Sequence, residues 1–400
     1  MKILAVCQYY DPEPFVISRM MEQLVSYGHE VHVVTGFPNY GYGRIMDGYE
    51  GQTRRDEMIR GVHVHRVKIH PRKDSRISIC RNYLSFYFHA KKYVRKLDDS
   101  FDLVFSMVLS PVIAAVPANI YRKKHHVPHL MYSVDLWPES LVMTGAIRPH
   151  SLLYSFFYHW SKKIYQGTDR ILCSSPSHIA YFKQVLHMEQ HSYGVLMQPC
   201  LAYEEDCLPI SYDPGTFNIV YCGNMGKLQL LPFIYEAITQ LKQHPEIRFH
   251  MIGMGSEKKN FFAEVKKRGL EQQIIDHGAL PAKKAAAYFK NADALYVSLS
   301  KNGYVGKTIP NKLIFYLSFA KPILAMVDHD ARNMLKEAEG ALLIEESALS
   351  LQEGILTLKN MSQEKREILG KKNFSYYQTH LSFSILSKEL EAEMLALKKE

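Results

Sequence analysis

The chain has no stretch suited to crossing a bilayer, no paired-cysteine motif and none of the common cofactor fingerprints. Its longest uncharged run, Leu103 to Tyr121, contains Pro111, Pro117 and Asn119. It reads as a strand, a turn and a helix start rather than a span. The apolar opening after Met1-Lys2 is only a strand long before Asp11 and Glu13, so no export signal is expected and the chain reads as cytosolic. The cysteines Cys7, Cys80, Cys173, Cys200, Cys207 and Cys222 show neither CxxC nor zinc spacing. They read as small buried residues in a reducing compartment. The first strand leads into QYYDPEP, which has no glycine, so a GxGxxG dehydrogenase is excluded there. The nearest match, Gly253-Met254-Gly255, lacks the third glycine and a ribose-binding acid. No GxxxxGK phosphate loop and no HExxH occurs, which excludes a P-loop kinase and a zincin. Asp328-His329-Asp330 has the form DxD but no supporting acids. It reads as a loop, so neither an obligate metal nor a cofactor is expected.

What the sequence does hold is alternation. Apolar, often β-branched runs recur at 2–8, 30–36, 62–69, 103–108, 129–135, 170–175 and 194–199, with helical stretches between them. After the acidic segment LAYEEDCLPISYDPGT the pattern restarts at 218–223, 248–253, 274–278, 294–300, 322–327 and 341–346. Two such series predict an α/β protein of two doubly wound, mainly parallel domains, which also suits the 400 residues. Ligands of such sheets sit beyond the carboxyl ends of the strands, so a cleft between the domains is the expected site. Phe15 to Tyr27 carries a helical pattern ending at Gly28, and Leu381 to Glu400 reads as a charged amphipathic helix.

The net charge of +9 is unevenly placed. Thirteen Lys or Arg lie between Arg54 and Lys96, against Asp56, Glu57 and Asp74. That excess attracts phosphate-bearing partners: nucleic acid, anionic lipid headgroups or diphosphate-linked substrates. Taken as a helix, 81–97 places Tyr83, Phe86, Tyr87, Ala90, Tyr93, Val94 and Leu97 on one core-facing arc. Leu84 and Phe88 are left among Arg81, His89, Lys91, Lys92, Arg95 and Lys96, a pattern suited to a headgroup interface. A recognised nucleic-acid reading module is missing, so no nucleic-acid partner is expected.

Three segments at strand ends of the second half suit a diphosphate. Gly223-Asn224-Met225-Gly226-Lys227 offers glycine amides and a charge. Gly253-Met254-Gly255-Ser256 is a place where the chain passes close to something, or a plain turn. Lys307-Thr308-Ile309-Pro310-Asn311-Lys312 precedes LIFYLSFA. There Thr308 is expected to cap a helix whose first turn holds Pro310, between two lysines.

Together with the opening KILAVCQYYDPEP, the segment SYGHEVHVVTGFPNYGYGRI, VDLWPES and IVYCGNMGK, the run KTIPNKLIFYLSFAKPILA makes the chain resemble the retaining glycosyltransferases of family four. It is most similar to the branch that builds bacterial O-antigen and capsule. The resemblance implies a GT-B fold: an acceptor domain over 1–205, a nucleotide-sugar domain over 217–375, and a tail helix, 376–400, returning to the first. It implies a UDP-sugar donor, of N-acetylated hexosamine type, and a lipid-diphosphate-linked acceptor at the inner membrane surface. By position, Gly223, Asn224, Lys227 and Gln229 would line the diphosphate, with Gly255 nearby. Gly278, Ala279 and Leu280 would meet the base, and Thr308, Ile309, Asn311 and Lys312 would form the cradle. Asp135 and Glu139 would face the transferred sugar and acceptor, with Asn39 and Tyr40 on the acceptor side. Asp135, Glu139, Lys227 and Lys312 are the residues expected to carry the chemistry. Where relatives hold two glutamates, the second bonding the ribose, this chain has Lys307 and Phe315, and Pro14-Phe15-Val16 stands where many have a glycine-rich turn. A sugar-nucleotide epimerase of the same fold is the alternative enzyme, and a nucleic-acid-binding protein, suggested by the basic segment, is the second and weaker rival.

Overall fold

The structure, a computed structural model, describes residues 1–73, 75–200 and 210–399. Cys207, Asp74 and the expected domain end at residue 205 lie outside them. The chain forms two units, Met1–Gln198 with Leu386–Glu400, and Pro199–Ile385.

The first unit holds strands β1 (Lys2–Val6), β2 (Glu30–Gly36), β3 (Asp56–Ile59), β4 (Val62–Val67), β5 (Leu103–Val108), β6 (His129–Ser133), β7 (Arg170–Cys173) and β8 (Ser192–Val195). They form one sheet in the order β3-β4-β2-β1-β5-β6-β7-β8. All neighbours are parallel except β3, which pairs antiparallel with β4. β3 is missing from the periodicity because Asp56 and Glu57 are charged. It exists through a tight turn at Arg60-Gly61, both at positive φ (44° and 83°), the geometry that matches strand twist in a two-residue hairpin. β8 sits two residues before the apolar run 194–199. A core of Leu4, Val6, Val34, Phe86, Ala90 and Val104, all at most 2% exposed, lies between the sheet and helix Arg76–Lys96. The helix Phe383–Lys399 contributes Glu393 to Arg170 at 2.6 Å and Glu391 to His29 at 2.7 Å.

The second unit holds β9 (Phe217–Cys222), β10 (Ile247–Ile252), β11 (Ile274–Asp276), β12 (Ala294–Ser298), β13 (Ile323–Met326) and β14 (Ala341–Leu343), all parallel, in the order β11-β10-β9-β12-β13-β14. The order in which strands are added reverses between β9 and β12, and between β1 and β5 in the first unit, while the strands stay parallel. These switch points are where an open α/β sheet leaves a crevice at its carboxyl edge.

Two local expectations change. Asp328 is the N-cap of helix His329–Ala338, accepting from the His329 amide at 2.8 Å, so the DxD segment is a helix start and not a loop. Of the five described cysteines, all are free. Cys7 and Cys173 are buried, Cys200 and Cys222 are half-buried, and Cys80 is exposed on helix Arg76–Lys96, because 80 falls on that helix's outer face.

Candidate functional site

The carboxyl ends of β9, β10 and β11 bring three loops of the second unit side by side. The Gly223 amide donates to Ile252 O at 2.9 Å, Met225 N to Met254 O at 2.7 Å, and Gly253 N to Gly278 O at 2.7 Å. A Cβ on Gly253 would lie 2.0 Å from Gly223 O, and one on Gly255 about as close to the Met225 backbone, at 2.3 Å from its O. The close approach that requires a glycine at 255 is therefore that of its neighbouring loop. Gly278 takes φ 69° and its amide donates to Asp276 at 2.8 Å. Ala279 beside it is exposed and Leu280 half-buried.

Lys312 reaches into this edge. Its Nζ donates to Tyr221 Oη at 2.9 Å and lies 4.3 Å from that ring's centre. Tyr221 Oη in turn donates to Asn224 O at 2.5 Å. A Cβ on Gly223 would sit 3.4 Å from Lys312 Cε. Gly223, Asn224 and Lys312 are thus brought together, through a tyrosine the sequence reading passed over as a core strand residue. Burial lowers the Lys312 pKa to about 8. Lys312 is accordingly a half-buried lysine, set apart from the solvated lysines of the surface. One turn on, Tyr316 Oη accepts from Cys222 N at 2.7 Å and donates to Cys222 O at 3.1 Å. The i, i+4 pair of the short helix Asn311–Leu317 therefore holds the end of β9.

The other expected donor residues take different places. Lys227 is exposed on the turn Lys227–Gln229. Gln229 Oε1 accepts from Gly226 N at 3.0 Å, and Ser298 Oγ donates to Gln229 O at 2.6 Å, so this side chain shapes the loop. Thr308 does not cap the helix: its Oγ1 donates to Val305 O at 2.8 Å, and Pro310 is the residue before the helix rather than part of its first turn. Ile309 is half-buried and Asn311 exposed. Phe315 packs on Phe289 and Phe319, with ring centres 5.5 and 4.9 Å away.

In the first unit a polar and aromatic cluster gathers at the carboxyl ends of β1, β2 and β4. Glu13 is 3% exposed and accepts from the amides of Asn39 and Tyr40, both at 2.7 Å. Burial raises its pKa to about 7 against the pull of those amides. Asn39 Oδ1 accepts from Arg72 N and Asn82 Nδ2, each at 3.0 Å. The Arg72 guanidinium lies over the Tyr40 and Tyr83 rings and donates to Tyr9 Oη at 3.0 Å. Tyr9, Phe15 and Tyr40 contact one another with ring centres 5.0 to 5.1 Å apart. Asn39 is fully buried and serves the scaffold, while Tyr40 and Tyr42 are exposed. Glu13, Arg72 and Tyr83 were legible only as parts of DPEP and of the basic run.

Asp135 follows β6. Among the described residues nothing pairs with its carboxylate, and burial raises its pKa to about 6. The Tyr83 hydroxyl feels its charge. Glu139 is different: its Oε1 accepts from Tyr154 Oη at 2.7 Å and Tyr181 Oη at 3.2 Å. That carboxylate is held within the fold, and Asp135 is the one left available.

Residues 15–192 match the family model described as glycosyl transferase 4-like domain, and residues 212–375 match that described as glycosyl transferases group 1. A 228-residue stretch is 27% identical to the probable glycosyltransferase WbjE of Pseudomonas aeruginosa, covering 54% of this chain and 53% of that protein. The chain thus spans about half the length of this curated relative. Among solved structures, sucrose-phosphate synthase from Thermosynechococcus elongatus superposes with a TM-score of 0.76 at 14% identity over 99% of each chain. Anabaena HepE in complex with UDP gives 0.67 at 12% identity over 99% of this chain and 100% of that one. At these identities the likeness is one of fold.

Proposed function

We propose that this chain, which its two Rossmann-like domains and its domain matches place among the GT-B glycosyltransferases, moves a sugar from a UDP-sugar to a glycan or lipid-linked acceptor. The observation that carries the reading is the Lys312 ammonium drawn against Tyr221 beside Gly223, where three strand-end loops meet. Glycine amides and a desolvated cation neutralise the charge that develops on a departing diphosphate. Anabaena HepE, a protein of similar fold, was solved with UDP and with UDP-glucose. Lys227 would meet the same diphosphate from solvent. On the acceptor side, the exposed Tyr40 offers a ring for a sugar face, and Asp135 orients the reacting groups. Retention of configuration, an N-acetylated hexosamine donor and a place in surface polysaccharide synthesis complete the proposal. No metal or cofactor is included in it.

The test is a thermal-shift screen of UDP, UDP-sugars and other nucleotides, run with and without EDTA. A ligand at about a hundred times its dissociation constant adds roughly 2.7 kcal/mol of stability. UDP and its sugars are expected to raise Tm, EDTA to leave the shift intact, and transfer to continue in chelator. Interconversion of UDP-sugars without acceptor would identify an epimerase instead, and loss of transfer in EDTA restored by manganese would overturn the metal-independent reading.

The acceptor proposal includes an anionic membrane surface. No helix among the described residues is long and apolar enough to cross a membrane. Helix Arg76–Lys96 buries Phe86, Ala90 and Val94 as its inner face. Its outer face carries Ile77, Leu84 and Phe88, 69%, 45% and 58% exposed, along with exposed Arg76, Arg81, Lys92, Arg95 and Lys96. Part of the basic run is absorbed by the fold, since buried Arg66 pairs with Glu57 and Arg60 with Asp11 and Glu22. The helix face remains free for headgroups, where each basic residue contributes about 1 kcal/mol. Helix Leu152–Tyr165 adds exposed Leu152, Leu153 and Phe156. Flotation with anionic vesicles is expected to recover the wild type at low salt, and Leu84→Ser/Phe88→Ser several-fold less. Equal recovery of both, or equal recovery with neutral vesicles, would remove the membrane from the proposal.

A further inference from the structure

At the amino ends of β2 and β4, the opposite edge of the sheet from Asn39 and Tyr40, three metal-ligating side chains converge. Glu30 and His32 are two apart on β2 and so share a face. His63 on β4 is the register partner of His32, and their rings stack with centres 4.4 Å apart. One ligand atom from each of Glu30, His32 and His63 lies within 4.8 Å of the others, and His32 Nε2 is already 2.8 Å from Glu30 Oε1. We propose that Glu30, His32 and His63 bind a divalent transition-metal ion of the zinc type, at a site apart from the transfer chemistry.

Two imidazoles and a carboxylate form a borderline donor set that favours zinc and its neighbours over magnesium or calcium. Bonds of about 2.0 Å in a tetrahedron put ligand atoms roughly 3.3 Å apart. The cluster therefore has to contract, and the exposed His63 and Glu30 are free to turn inward while half-buried His32 stays fixed. Burial, aided by the neighbouring His63 and opposed by the Glu30 hydrogen bond, lowers the His32 pKa, the direction that favours the neutral ring ligation demands. The fourth position has room: a cavity of about 350 Å³ beside the cluster is lined by His32, His63, His65, Asp56, Tyr93 and Asp99. Lys2 competes for Glu30, its Nζ standing 3.2 Å from Glu30 Oε1.

The plain alternative is a protonated His32–Glu30 pair that ignores metal. Nineteen histidines in the chain also make loose metal binding elsewhere a real background, so the test compares variants. The full chain, stripped with chelator and dialysed, is titrated with cobalt(II) at pH 7.5 and followed by visible absorption, then challenged with zinc. The wild type is expected to give the intense visible bands of a four-coordinate ion, saturable and displaced by zinc. His63→Ala should weaken binding by more than about tenfold, whereas His89→Ala, an exposed histidine on another element, should titrate as wild type. Lys2→Ala, which frees Glu30, should tighten binding. Metal-free Tm values of the variants guard against misfolding, and the Lys2 arm stands even if His63→Ala is impaired. Identical titrations of wild type, His63→Ala and Lys2→Ala, or only weak octahedral-type absorption, would overturn the proposal.

Discussion

Lys312→Ala is expected to lower kcat/KM for sugar transfer by about 10² to 10³-fold, the loss that follows removal of one preorganised donor to a developing negative charge. The side chain is half-buried, its Nζ donates to Tyr221 Oη at 2.9 Å, and burial brings its pKa from the ordinary 10.5 to about 8. Two opposite pH trends follow. In the free enzyme the ammonium is lost as pH rises through about 8, so kcat/KM falls there on its account. Stability runs the other way. Between about 8 and 10.5 the unfolded chain holds a proton that the folded chain has released, and stability gains with pH across that window. In Lys312→Ala both trends flatten at this residue's expense. Measuring kcat/KM and urea midpoints of wild type and variant from pH 7 to 10 checks both arms. Unchanged transfer in Lys312→Ala and in Lys227→Ala together would place the diphosphate elsewhere.

Asp135→Asn is expected to cost on the order of 10²-fold in kcat/KM, since on the proposed function it neutralises a group that positions reacting atoms, while Tm is expected to hold or rise. The carboxylate has no partner among the described residues, and burial lifts its pKa from 3.8 to about 6. An unpaired carboxylate held away from water is costly, and the amide of the same shape relieves that cost. The sign with pH is definite. Between about 4 and 6 the folded chain binds more protons than the unfolded one, so wild-type stability declines as pH rises through that window, and the variant lacks this component. Glu139→Gln behaves differently, because Tyr154 and Tyr181 both donate to its carboxylate: Tm falls, and transfer follows the loss of fold. Activity of Asp135→Asn equal to wild type, with the same slope of stability against pH, would remove Asp135 from the reaction.

The sequence by itself determined the series of strands and the two α/β halves. Runs such as KILAV, LVFSMV and NIVYC are apolar, and often β-branched, at all but one position because a parallel strand is covered on both faces, and that requirement is written locally. Helix Arg76–Lys96 was legible for the same reason, its inner face recurring at Phe86, Ala90 and Val94. β3 was not, since a charged edge strand owes its existence to the Arg60-Gly61 turn and to pairing with β4.

Only the tertiary structure decided which side chains meet. Lys312 and Tyr221 lie ninety-one positions apart, and Glu13 finds Asn39 twenty-six away. Crossover connections, rather than any local pattern, bring such residues to one sheet edge. Burial then decides their chemistry. It makes Lys312 a weaker base than an exposed lysine and Asp135 a weaker acid than an exposed aspartate. Gly255 reads in sequence as a place of close approach or a plain turn, and the structure puts the Met225 backbone against it. A motif names the residue types able to do the work. The desolvation and the partners that set their charge arise only when distant strands end side by side.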